Sequence, residues 1–369
     1  MKTGKLGLIG SKVAPWAVIL SLLVVSRIEP EPVGQPVQIP PMGERDRYYG
    51  IQIPEPGILW MVGSGGKIIR SEDNGETWAI QDTPTTLNLM SIAAWDKDNA
   101  VVVGNTGLAM LTTDGGQTWE KRDTPLSRIA NKLIRVRIIP DTDKLIAVGI
   151  LGKVLLSEDR GNTWNQQYFY YDFSFFEERF NDLAGGVRRV NQDVIRRGRF
   201  SRDIVFHDIA IRGECEWMVI GEFGYLLHTK DCGYNWRELR PAYDSLHSIK
   251  FRDKDNGVLV GGSATILVTS DGGENWEQLD PEGEPTSHLY DVEWVDKIQT
   301  WVATGEGGLV IKSDASGEEW TSELVVEGKG PWFIDLEPHG EDIYITGEDN
   351  GVLTVGSGEW VELPRTSQN

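Results

Sequence analysis

A tryptophan recurs along this chain at an almost fixed interval, each time closing a short polar turn that follows an apolar strand. Five copies are well formed, pairing Asp73 with Trp78, Asp114 with Trp119, Asp159 with Trp164, Asp231 with Trp236 and Asp271 with Trp276. Trp320 and Trp360 close two degenerate copies. Successive tryptophans lie 41, 45, 72, 40, 44 and 40 positions apart. A period of about 40–45 residues suits one four-stranded propeller blade. The expected fold is therefore all-β: a seven-bladed β-propeller of four-stranded antiparallel blades, with a small helical insertion between blades 3 and 4.

The chemistry of each copy supports a structural role. The Asp carboxylate can accept N–H groups inside a tight turn, Gly supplies a left-handed position, and Ser or Thr can tie the turn to its strand. The Trp offers a large apolar face to a neighbouring blade. This turn is the Asp-box. Its aspartates recur in every good blade, far from a common centre, so they are read as scaffold and not as catalytic or metal-binding groups. A second column, Val62-Gly63, Val103-Gly104, Val148-Gly149, Ile220-Gly221, Val260-Gly261, Thr304-Gly305 and Thr346-Gly347, ends one strand of each unit. Inner strands are expected from about Ser91, Lys132, Asp208 and Ser248. Trp60, Trp95, Trp294, Trp301 and Trp332 could stack sugars, but their strand positions favour the core.

Domain organisation follows from where the period begins and ends. Residues 1–28 combine Lys2, Lys5 and Lys12 with the apolar run Val13–Val25, as a signal peptide or an N-terminal membrane anchor would. Residues 29–46 form a Pro-rich linker, 47–364 the propeller and 365–369 a tail. Either way the propeller is expected to be exported. The net charge of −20 argues against a nucleic-acid partner. Cys215 and Cys232 fall in two turns on one side of blade 4, so a disulfide and a pair of inert thiols are both open. His207 and His247 occupy matching places, but no third ligand recurs with them. No metal and no cofactor is expected.

The period breaks once, between Trp164 and Trp236, where about 30 extra residues (roughly 166–203) enter. The segment contains Phe176 and Phe180 on one helical stripe, then Arg188, Arg189, Arg196, Arg197, Arg199 and Arg202 with one acid, Asp193. Local charge opposite to that of the whole chain points to a docking surface for an acidic or amphipathic partner. A flap paired with the acidic propeller and contact with anionic lipid are the alternatives.

The Asp-box copies Thr112–Trp119 and Thr269–Trp276, the Gly loops and the export signal together resemble the photosystem II stability/assembly factor family, over about residues 47–364. The resemblance implies a non-enzymatic propeller on the periplasmic or thylakoid-lumenal side that helps a membrane-protein complex, or its unassembled subunit, to assemble; a monomer is expected. It also implies that photosynthetic members dock through an arginine-rich surface; here the arginines concentrate in the insertion. Service to a membrane transporter in a non-photosynthetic bacterium is the alternative within that class. A sialidase-like or glycan-binding propeller is the alternative outside it. Against the enzyme, Arg137-Ile-Ile-Pro140 only approximates the sialidase Arg-Ile-Pro motif and sits in the third repeat.

Overall fold

The structure is a computed structural model and describes residues 42–43, 45–167, 204–282, 285–324, 330–354 and 357–363. These lie in one compact unit, 41–369, and the preceding unit, 1–40, is outside the described residues. Seven four-stranded antiparallel sheets occupy 48–81, 89–122, 133–166, 206–239, 246–279, 289–324 and 333–362. Each runs in simple order from an inner strand A to an outer strand D. This is the seven-bladed propeller that the tryptophan period implies. Residues 168–203 of the expected insertion lie outside the described residues, as do the N-terminal segment and the tail. Among the described residues, no helix is long and apolar enough to cross a membrane.

Strand A begins about two residues earlier than the sequence suggested, at Leu89, Phe206 and Leu246 for blades 2, 4 and 5. The cause is a bulge in all seven blades: Leu289 pairs with Gly305 and Asp291 with Thr304, leaving Tyr290 as the extra residue. The bulge interrupts the two-residue alternation that marks a strand in sequence. It also explains the glycine column. Gly305 is extended, and a Cβ there would run into the His288 carbonyl, which accepts the Glu306 N–H at 3.0 Å. The same close approach recurs at Gly63, Gly104, Gly149, Gly221, Gly261 and Gly347.

The core is divided into seven apolar layers, one at each blade interface. Between blades 1 and 2, Trp60, Val62 and Ile68 meet Leu89, Val102 and Trp119. The Trp60 and Trp119 rings meet edge to face, 5.8 Å apart. Each Asp-box tryptophan thus packs against the preceding blade, as Trp164 does against blade 2 and Trp320 against blade 5. The ring closes in the same way: Tyr48, Ile51 and Leu59 of blade 1 pack with Tyr344 and Leu363 of blade 7. No strand is exchanged among the described residues. Tyr344 instead donates its hydroxyl to the Asn74 carbonyl at 2.8 Å, and Arg47 pairs with Glu348 at 2.7 Å.

Candidate functional site

The Asp-boxes line one face of the ring and behave as turn locks. In blade 2, Asp114 Oδ1 accepts the Thr118 N–H at 2.9 Å and the Thr112 hydroxyl at 2.8 Å, and Oδ2 accepts the Thr118 hydroxyl at 2.6 Å. Thr112 Oγ1 in turn accepts the Gly116 N–H. Asp73, Asp159, Asp231 and Asp271 repeat the pattern. The Thr118 hydroxyl and N–H hold the Asp114 carboxyl below the usual carboxylate range. The indole N–H of Trp78, Trp164, Trp236 and Trp320 donates to the glycine carbonyl three residues earlier. Arginines on this side bridge blades. Arg212 donates to the Gly272 carbonyl and stacks over Phe251, and Arg252 stacks over Trp294. Cys215 and Cys232 are joined as a disulfide between the A–B turn and the Asp-box turn of blade 4. Blade 3 holds the corresponding turns with an Arg160–Asp143 ion pair at 2.6 Å.

The centre of the ring is polar and filled. The residue after the bulge, at the same place in every strand A, is Gly50, Ser91, Arg135, Asp208, Ser248, Asp291 or Asp335. Arg135 reaches across the channel from blade 3 to Asp335 of blade 7, Nη1 to Oδ1 at 2.6 Å, and its Nε lies 3.4 Å from Asp208. Arg137 pairs with Asp208 at 3.1 Å, Ser248 donates to Asp291 at 2.6 Å, and Lys250 pairs with Glu293. These carboxylates also satisfy the inner edge of the next blade. Asp335 accepts the Ile51 N–H at 2.8 Å, Asp291 that of Leu336 and Asp208 that of Ile249; Ser91 does the same for Val136. An unpaired strand edge is thereby closed by its neighbour's side chains.

The charges are tuned by this crowding. Burial raises the Asp335 carboxyl to about 6 against the pull of Arg135, with Asp291 beside it. Burial opposes ionisation of Asp291 as well, but Lys250 and Arg135 hold it at about 2. Burial raises Glu337 to about 7. Sequence reading missed this ring. The available signal was a column of charge inside apolar strands, visible once the blades are aligned on their glycines.

The opposite face carries the Gly loops and the D–A connections, which touch each other. Thr83 donates to the Gly66 carbonyl and Thr124 to that of Gly107. The two ends of the insertion abut the Gly loop of blade 3 and the start of the strand that follows it, through Gly152 N–H to Ile204 O and Gln167 N–H to Val154 O. Arg188, Arg189, Arg196, Arg197, Arg199, Arg202, Phe176 and Phe180 themselves lie outside the described residues. Of the eight large hydrophobic side chains exposed among the described residues, five sit on this face: Leu126, Ile129, Phe223, Tyr243 and Trp332. Trp60 and Trp301 are buried core residues, and Trp95 and Trp294 pack against core clusters. Trp332 corrects the expectation for the group. It precedes strand A, on the loop face, and is 48% exposed.

A family profile described as photosynthesis system II assembly factor YCF48 matches residues 77–170. This chain is similar to the photosystem II assembly factor propellers. Among solved structures, YCF48 bound to a D1 peptide aligns with a TM-score of 0.61 at 16% identity, covering 82% of this chain and 90% of that one. YCF48 from Cyanidioschyzon merolae aligns at 0.61 and 19% identity, over 84% and 94% of the two chains. An ancestral GH74 enzyme also aligns at 0.61, with 12% identity, over 89% of this chain and 47% of its own. No curated protein sequence matches. At these identities the structural likeness carries the fold. Among the described residues, no group of three or more His, Cys, Asp or Glu side chains is arranged to hold a metal ion.

Proposed function

We propose that this protein is a non-catalytic docking propeller, similar in role to a photosystem II assembly factor, which holds a subunit of a membrane-protein complex against its loop face. The observation that carries the reading is the concentration of exposed apolar side chains there, at Leu126, Ile129, Phe223, Tyr243 and Trp332. Exposed apolar groups gathered on one face mark an interaction surface. The similar YCF48 solved with a D1 peptide supports a polypeptide as the bound species. The basic insertion leaves the ring on the same side, so its arginines are the proposed electrostatic part of the interface. The basic-then-apolar segment at 1–28 and the Cys215–Cys232 bridge support export to an oxidising compartment.

Catalysis is not part of this reading. The deepest carboxylates, Asp208, Asp291 and Asp335, are buried and serve neighbouring strand edges and Arg135. The Asp-box carboxylates serve their own turns. The test is co-purification from detergent-solubilised membranes. A membrane-protein subunit should be retained by the wild-type and Asp114→Ala proteins. It should be lost with Ile129→Glu and with the fourfold Arg188→Glu, Arg189→Glu, Arg196→Glu, Arg197→Glu variant. Retention by both of those variants would defeat the proposal.

A further inference from the structure

The loop face is divided into two chemically different halves. Blades 1–3 present Leu126 and Ile129 beside Arg128. Blades 4–7 present rings in a row. His247 stacks on Tyr290 at 5.5 Å, and Tyr290 approaches Trp332 at 6.2 Å, with Phe223 and Tyr243 exposed on adjoining loops. The same loops carry Glu222, Asp244, Glu282 and Glu306. Their one Arg or Lys among the described residues is Arg240, which is already pinned over the Tyr225 ring and to the Phe223 carbonyl.

Elsewhere in the ring this chain covers its aromatic faces with cations. Arg70 lies 4.9 Å from the Trp60 ring, Arg160 5.4 Å from Trp95, and Arg252 4.9 Å from Trp294. No described cation lies over Trp332, Tyr243 or Phe223. Exposed aromatic rings set among carboxylates suit an ammonium or guanidinium group, which gains ring and carboxylate contacts together. Glu306 accepts the Tyr290 hydroxyl at 2.8 Å, which fixes that ring, and its carboxylate can still accept further bonds.

We propose that this aromatic crescent binds an extended peptide segment bearing Lys or Arg side chains, with Trp332 and Tyr243 as ring platforms and Asp244 and Glu306 as carboxylate partners. The inference rests on the docking reading above and adds the chemistry of the partner.

The experiment uses the full chain and two fluorescein-labelled synthetic peptides, one alternating Lys with Leu and one alternating Glu with Leu, followed by fluorescence anisotropy. The Lys peptide should bind, and should weaken as salt rises. Trp332→Ala should weaken it roughly threefold to thirtyfold, the loss expected for a cation–ring contact. Asp244→Asn with Glu306→Gln should flatten the salt dependence, and Asp114→Ala, on the opposite face, should change nothing. Circular dichroism confirms that each variant is folded. Equal or tighter binding of the Glu peptide overturns the proposal, as does unchanged affinity in Trp332→Ala. Binding that appears only after Arg188, Arg189, Arg196 and Arg197 are changed to Glu also overturns it, because the chain's own basic segment is then the occupant. Loss of a membrane client in Ile129→Glu but not in Trp332→Ala sinks the crescent and leaves the docking reading standing.

Discussion

Replacing Arg135 by Leu tests the polar centre of the ring directly. The guanidinium bonds Asp335 at 2.6 Å and lies 3.4 Å from Asp208, and both carboxylates are buried. Removing it leaves Asp208, Asp291 and Asp335 close together with only Arg137 and Lys250 to offset them. Breaking a buried ion pair from one side costs about 3–5 kcal/mol, mostly through the abandoned charge. That cost must depend on pH. Asp335 is already raised to about 6 with Arg135 present, and losing the cation pushes it further up. An acid raised in the folded state binds more protons there than in the unfolded chain, so its stabilising effect is present in acid and fades as pH rises. The variant should therefore trail the wild type by about 3–5 kcal/mol at pH 8 and recover about 1–2 kcal/mol of that deficit by pH 5. Urea unfolding followed by tryptophan fluorescence at the two pH values measures both quantities. A deficit below about 1 kcal/mol at pH 8, or one that widens in acid, would refute the reasoning.

Glu337→Gln isolates a second acid of the channel. The wild-type carboxyl is raised to about 7, so wild-type stability should fall as pH rises from about 4.5 to 7, and the Gln protein should gain on it by about 1–3 kcal/mol across that window in paired urea titrations. Asp114→Ala should cost about 1–3 kcal/mol by leaving the Thr118 N–H without its acceptor, with membrane-client capture by the folded protein unchanged. Reduction of the Cys215–Cys232 bridge should cost about 2–4 kcal/mol, read as a drop in melting temperature on adding reductant. The Cys215→Ser, Cys232→Ser protein should start at the lower temperature and ignore the reductant.

Much of the scaffold could be read before any coordinates, because its constraints are local. An Asp-box needs its Asp, Gly and Trp within eight residues, and the Gly column reflects one close approach at a fixed place in every blade. The strand starts are not legible because the bulge at Tyr290 and its equivalents breaks the alternation that marks a strand. Asp335, within Ile334-Asp335-Leu336, looks in sequence like an ordinary solvent-facing strand residue. Its burial depends on Arg135, 200 positions away, and no local pattern encodes that pairing. Trp332 reads as a core residue for the opposite reason. It abuts an apolar strand, but the strand begins one residue later, at Phe333.

Among the described residues the ring closes through side chains, and this has a consequence for chain order. Blade 7 meets blade 1 through the same kind of apolar layer and the same capped strand edge as most of the other interfaces. Among the described residues, what sets this interface apart is Met42, which precedes strand A of blade 1 and is buried in the layer. Joining residues 363 and 42 with a short linker and opening the chain at another D–A connection should therefore yield a circular permutant with the same seven interfaces. In a propeller whose last sheet borrows a strand from the other terminus, the same operation would tear one blade in two.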